Sequence, residues 1–386
     1  MPSRSVLLTV LAVGMAGTIG LGVARFAYAL VLPAMRAELG LSYGEAGLLN
    51  TTNAAGYLLG ALVAASVANR IGVRATILWG VAGAIASLAL CAVLRDFTLL
   101  NGARALGGVG GALAFVGGGV LAANLAGQAG AGRSGAVLGA YYAAPGLGIA
   151  LSGLVVPVVI EGGGLAAWPW AWAMLAALCV PLALWLAVGT RGFDVRQATG
   201  ARRAVRVRQG WIVAAYCGFG MGYIGYMTFM IARVRDGGGG PLEQGLFWAT
   251  LGCGAIVSAW AWRGVMDRFH GGRAFALLCG LVALGAAVPL LAEGTAANLL
   301  SAALFGSVFF SVVASTTAFV RRNYAPGDHA AGIGSMTVAF GVGQIVGPIA
   351  VGWLNDRAGG LEAGLAASAA VLLLSAALAL PQRDAS

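Results

Sequence analysis

The sequence predicts an all-α membrane protein: twelve transmembrane helices arranged as two pseudo-symmetric six-helix bundles. Three observations carry this. Apolar residues make up 60% of the 386 positions and charged residues only 9%. Apolar runs long enough to cross a bilayer recur along the whole chain. The longest polar interruption divides those runs six and six. A soluble domain carries about 25% charged residues, and a share this low cannot coat a globule of this size, so most of the surface faces lipid.

A crossing helix needs about 20 predominantly apolar residues. On that length the runs fall at 6–34, 43–68, 74–94, 97–126, 134–160 and 165–190, then at 210–234, 242–263, 273–292, 295–320, 330–354 and 362–380. The first follows Arg4 and continues through Pro33 with no clear small-residue cleavage site, so it reads as a retained helix and not a secretory signal. Between the sixth and seventh lies RGFDVRQATGARRAVRVRQG, with Arg191, Arg196, Arg202, Arg203, Arg206 and Arg208. The expected division is an N-terminal bundle at 1–190, a cytoplasmic linker at 191–209 and a C-terminal bundle at 210–386.

The formal charge of +10 comes from arginine alone, because the chain has no lysine. Placing both termini in the cytoplasm leaves only Arg36, Arg95, Arg233, Arg235 and Arg357 on the outer side, and the positive-inside rule favours that orientation. The compact form and lack of a targeting extension point to a cell inner membrane. A nucleic-acid reader needs soluble recognition elements beside a basic face, and none is present. The five cysteines lie in apolar runs and read as small buried hydrophobes, so no disulfide, metal site or cofactor is expected.

Two loops repeat. ANRIGVR, with Asn69, Arg70, Gly72 and Arg74, joins the second and third runs; MDRFHGGR, with Asp267, Arg268, Gly271 and Arg273, joins the eighth and ninth. A six-plus-six duplication puts them in equivalent places. Both resemble the G-x-x-x-D-R-x-G-R/K-R/K pattern of the major facilitator superfamily, although Ala65, Asn69 and Val73 depart from it in the first copy and His270 lengthens the second. In the fourth run, Arg104-Ala-Leu-Gly107-Gly108-Val-Gly110-Gly111 resembles that superfamily's R-x-x-q-G-x-g motif. The fifth run holds Pro145, Gly146 and Gly148, and the eleventh Gly343, Gln344, Gly347 and Pro348, like the superfamily's rocking helices. GVARFAYALVLPAM in the first run resembles the YbfB/YjiJ-type subgroup.

The resemblance implies two bundles that rock about a central cavity, lined by the first, fourth, seventh and tenth helices. It implies a conformational latch at Asn69, Arg70, Gly72, Asp267 and Arg268, where a polar or acidic group beside arginine joins neighbouring helices. Gly108, Pro145, Gly146, Gly347 and Pro348 are expected at close helix contacts.

Arg25 and Arg104 lie inside apolar runs, where arginine costs about 2.5 to 3.5 kcal/mol on insertion scales and so needs a purpose or a partner. The thirteen acids all fall in loops or near helix ends. Two cations on a cavity without a deep carboxylate favour an anionic solute, since guanidinium grips carboxylate or phosphate through parallel hydrogen bonds. The opposing reading has Arg25 snorkelling to Glu45 or interfacial water and Arg104 bonding helix carbonyls. Tyr216, Tyr223 and Tyr226 on the seventh helix and Ser311 on the tenth are candidate cavity groups; an offset of 198, set by Asn69 and Asp267, puts Tyr223 opposite Arg25. The alternatives are an interfacial tyrosine belt and serines bonded to their own helix.

The expected function is secondary active transport of a small solute, an organic anion, by alternating access, through a protein that works as a monomer. A proton or counter-anion is the candidate coupling partner. An exporter of amphipathic drug-like compounds is the alternative, followed by a polytopic membrane enzyme or receptor. No phosphate-binding loop is possible without lysine, so direct ATP drive is not expected.

Overall fold

The computed structural model describes residues 4–129, 131–193, 209–325 and 328–385. Arg196, Arg202, Arg203, Arg206 and Arg208 of the expected linker lie outside the described residues.

The first crossing is built from α1 (Arg4–Gly17), a π-helical segment (Thr18–Phe26) and α2 (Tyr28–Leu39). There follow α3 (Tyr43–Ile71), α4 (Val73–Val93), α5 (Phe97–Gln128), α6 (Ala131–Gly163) and α7 (Trp168–Gly189). After the linker come α8 (Gly210–Asp236), α9 (Pro241–Ala261), the short α10 (Arg263–Arg268), α11 (Arg273–Leu291), α12 (Thr295–Asn323), α13 (His329–Ala358) and α14 (Glu362–Ala379).

Local chemistry sets several of these boundaries. Gly40, at φ 67°, ends α2 in a left-handed conformation that disfavours a side chain. Ser42 and Glu45 form a capping box that starts α3. The Asp96 carboxylate accepts from the Leu99 amide at 2.9 Å and starts α5.

Among the described residues, 11 helices are long and apolar enough to cross a membrane. The eighth expected run falls short: α9 has 21 residues, but Glu243, Gln244, two tryptophans and three glycines dilute its apolar content. The first crossing extends to Leu39, beyond the expected limit at 34.

Three helix starts repeat at a fixed interval. Pro241 of α9 follows Tyr43 of α3 by 241 − 43 = 198 residues, Thr295 of α12 follows Phe97 of α5 by 295 − 97 = 198, and His329 of α13 follows Ala131 of α6 by 329 − 131 = 198. Packing follows the same relation. The main contacts between residues before and after the linker are α3 on α13 and α6 on α9, and the offset converts one pair into the other.

The end at which α7 stops and α8 starts is the linker end; the other is the far end. At the far end the chain is clamped shut. The Asp356 carboxylate on α13 accepts from the backbone amides of Tyr43 and Gly44, both at 2.7 Å. The Tyr43 hydroxyl donates to Asp236 at 3.3 Å, and Arg36 sits 3.6 Å above the Tyr43 ring. Arg235 donates to the Pro33 carbonyl at 2.7 Å. Deeper in, a Cβ on Gly47 would lie 2.2 Å from the Pro348 carbonyl oxygen, so only glycine permits this approach of α3 to α13.

At the linker end α5 and α12 are not among the packed pairs. Ala123, Asn124, Gly127 and Gln128 of α5 are exposed there. The residues of the expected latch stand at this end. Asn69, Arg70, Asp267 and Arg268 are exposed, and none has a side-chain hydrogen bond or ion pair among the described residues. Gly72 is the turn between α3 and α4 at φ 87°. The contacts that join the two sequence halves through carboxylates lie at the far end instead. The resemblance pointed to the loops, where the motif residues stand, whereas Asp356 meets α3 across 312 residues of sequence.

Cys91, Cys179 and Cys279 are buried as expected, but Cys217 is half-buried and Cys253 is exposed on the outside of α9.

Candidate functional site

The π-helical segment presents Arg25. Its sequence, TIGLGVARF, has glycines where neighbours press in: a Cβ on Gly22 would lie 2.4 Å from the Pro145 carbonyl oxygen of α6. π turns occur frequently at functional sites because the wider winding re-aims side chains and frees backbone carbonyls.

Arg25 is only 3% exposed, yet none of its three guanidinium nitrogens has a hydrogen-bond partner among the described residues. Glu45 is committed to its capping box and does not reach it. The guanidinium carbon lies 4.7 Å from the Tyr57 ring centroid and 5.9 Å from that of Phe26. A cation–π contact is worth about 0.5 to 2 kcal/mol, whereas each unsatisfied buried donor costs about 1 to 3 kcal/mol and more when charged. The ring contacts therefore leave most of the burial cost of this cation uncompensated.

The space beside Arg25 measures about 10 Å³, room for roughly one water molecule, and is bordered by Phe26, Asn50, Thr228 and Trp248. Asn50 donates to the Thr228 hydroxyl at 2.6 Å, and Thr228 donates to the Ile224 carbonyl at 2.6 Å. Tyr223 stands within electrostatic range of Arg25 and accepts a hydrogen bond from the Gln344 amide. Around them runs an aromatic wall, with Tyr223 stacked on Phe309 at 6.1 Å, on Phe340 at 5.5 Å and on Phe219 at 5.1 Å.

Arg104 is placed differently. It is 1% exposed and donates to the carbonyls of Ala24 at 2.8 Å and Arg25 at 3.4 Å. Its guanidinium lies 4.8 Å from the Tyr28 ring and 5.7 Å from Trp172. It braces the backbone from behind, and its charge faces helix carbonyls and ring faces.

Of the other expected site residues, Tyr216 joins the aromatic wall through Phe340 at 4.7 Å. Tyr226 pairs with the Ser301 hydroxyl, and Ser311 donates to the Ser258 carbonyl at 2.9 Å, so both serve contacts of α12 with its neighbours. Gly108, Gly146 and Gly347 each lie where a Cβ would come within 2.8 Å of a neighbouring helix backbone: α3, α9 and α8 respectively. The Pro145 and Pro348 carbonyls are the groups pressed against Gly22 and Gly47.

Sequence reasoning did not single out Tyr57, Asn50, Thr228 or Phe309. A helical wheel carries too little signal when nearly every residue is apolar, although a polar Asn50 and Thr228 inside long apolar runs were visible in principle.

Among the described residues, a bundle of membrane-crossing helices is closed at one end and holds near its middle a buried cation without a counter-charge, an arrangement suited to a membrane transporter. Residues 17–380 match the family described as the uncharacterised MFS-type transporter YbfB, and the chain belongs to that family. Two crystal structures of a bacterial homolog to the human lysosomal transporter Spinster are similar in fold. In its inward-facing, unoccupied conformation the TM-score is 0.74 at 14% identity, covering 100% of both chains. In its inward-facing, occupied conformation it is 0.70 at 14% identity, covering 99% of this chain and 97% of the other. No curated protein matches the chain.

Proposed function

We propose that this protein is a secondary active transporter that carries an organic anion by alternating access, with Arg25 as the group that grips the anion. The observation that carries the reading is the guanidinium of Arg25, buried with all three nitrogens free of protein hydrogen bonds. A carboxylate or phosphate oxygen pair fits the guanidinium fork in a way that neutral or cationic solutes do not. Arg104 has a positioning role in this reading: it fixes the carbonyls of residues 24 and 25 and thereby the direction in which Arg25 points.

The proposal includes twelve crossings in two six-helix bundles, with α9 as the crossing of lowest apolar content. The recurrent offset of 198 residues and the paired α3–α13 and α6–α9 contacts support it. Alternating access then consists of opening the far-end clamp while the linker end closes. Both termini are assigned to the cytoplasm of an inner membrane from the arginine distribution, and the single chain is taken as the working unit. Charge compensation falls to a co-transported proton or an exchanged anion, since no carboxylate stands beside Arg25 among its described neighbours.

The test is the thermal unfolding midpoint of purified protein in the presence of organic anions and, separately, of lipophilic cations. Ligands that bind only the folded state raise it. Stabilisation by anions that disappears in Arg25→Gln is expected. Stabilisation by cations alone favours instead an exporter of amphipathic cations and overturns the anion reading.

A further inference from the structure

Resting on the anion reading of Arg25, we infer that the solute is a monoanion with a flat or extended apolar body, and not a dianion, a zwitterion or a polyhydroxylated acid. Three independent features of the site lead there.

The first is the charge count. Among the described residues Arg25 is the one cation that lines the space; Arg104 turns two of its three nitrogens to the carbonyls of Ala24 and Arg25, leaves Nε without a partner and lies over Tyr28 and Trp172. A second anionic group on the solute would be buried without a counter-charge, which is strongly unfavourable. A solute ammonium would be equally unpaired: Asp236 and Asp356 are committed to the far-end clamp, on Tyr43 and Gly44.

The second is the state of the neutral polar groups. Asn50 and Thr228 bond one another, Thr228 also bonds its own helix, and Gln344 bonds Tyr223. A sugar acid needs a partner for each hydroxyl it buries, and of the Gln344 amide only the carbonyl oxygen is left without one, a single acceptor against several hydroxyls.

The third is the wall. Phe26 and Phe309 meet edge to face at 6.4 Å, while Tyr223, Phe309 and Phe340 form a stack with interplanar angles of 10 to 17°. Only about 10 Å³ is open beside the guanidinium, and Phe26 and Trp248 are the rings that border it. A solute reaches Arg25 by parting them. A flat apolar body replaces ring–ring contact by contact of the same kind, whereas a hydrated body leaves hydroxyls against ring faces. Tyr57, half-buried, lies 4.7 Å from the Arg25 guanidinium and adds a further ring face beside the fork.

The experiment compares four probes on the purified full chain by thermal unfolding. They are 2-naphthoate, naphthalene-2,6-dicarboxylate, 2-naphthamide and gluconate, and they separate one charge, two charges, no charge and a hydrophilic body. The expected result is a concentration-dependent rise with 2-naphthoate at least twice that of any other probe. The rise is lost in Arg25→Gln, reduced but measurable in Arg25→Lys, and reduced in Phe309→Leu. If gluconate or the dicarboxylate stabilises as well as 2-naphthoate, and does so only with Arg25 present, the monoanion class is overturned while the anion reading stands. Equal stabilisation by 2-naphthamide overturns the requirement for charge. If no anion stabilises the wild-type protein, both readings fall. Arg25→Lys keeps the test decisive if Arg25→Gln does not fold, because lysine retains the charge without the fork.

Discussion

Two arginines, both nearly sealed from solvent, stand in different settings, and the difference lies in what their nitrogens touch. Arg104 reaches the carbonyls of residues 24 and 25 and lies over Tyr28 and Trp172; Arg25 touches only rings. Apolar context made both visible in the sequence, since an arginine inside a 20-residue apolar run stands out. Which of them faces the interior space was not legible there, because it depends on how α5 is rotated against the π-helical segment. A substitution separates the roles. Arg104→Gln removes charge-assisted hydrogen bonds worth about 1.5 to 3 kcal/mol, so the thermal midpoint of the solute-free protein is expected to fall markedly. Arg25→Gln removes a group with no protein hydrogen bonds and is expected to leave that midpoint unchanged or higher. Measuring both midpoints in the same detergent checks the assignment; equal losses would contradict it.

At the level of elements, the far-end clamp is the mechanical counterpart of the site. The N-terminus of α3 offers free amides and the positive end of a helix dipole, and Asp356 of α13 occupies it with both carboxylate oxygens. Asp356→Asn keeps the shape but has one acceptor and no charge. A loss of about 1.5 kcal/mol from this contact shifts the closed-to-open ratio about tenfold. The prediction is faster labelling of a cysteine placed at Thr51, which is buried and donates to the Ile345 carbonyl of α13. The reagent is a membrane-impermeant maleimide applied to the α3 N-terminal face, and an unchanged rate would show that Asp356 does not hold that end closed. Gly47→Val acts on the same contact through sterics: its first carbon would overlap the Pro348 carbonyl, and overpacking of this kind costs about 1 to 3 kcal/mol. Faster labelling at Thr51 or loss of folded yield is expected, and normal yield with a normal rate would argue against the close approach. The helices themselves were legible from apolar run length to within a few residues, apart from the α2 extension to Leu39. The clamp was not, because an acid at a helix end looks the same in sequence whether it meets solvent or a helix N-terminus 312 positions away.

For the whole molecule, the offset of 198 residues relates helix starts, contact pairs and the two residues at the centre, since it brings Tyr223 into register with Arg25. That register was readable from the repeated loops alone. The asymmetry laid over it was only partly so: a cation from the first half faces rings and a hydroxyl from the second. With the far end clamped and α5 not packed on α12, the protein is closed at the face away from the linker. The proposed function requires that the anion bind at Arg25. The most direct test is isothermal titration of the most stabilising organic anion into purified wild-type and Arg25→Gln protein. Loss of charge-assisted hydrogen bonds worth about 1.5 to 3 kcal/mol corresponds to a Kd increase of roughly 10- to 150-fold, which is the predicted result. An unchanged Kd in the folded variant would contradict the central role of Arg25.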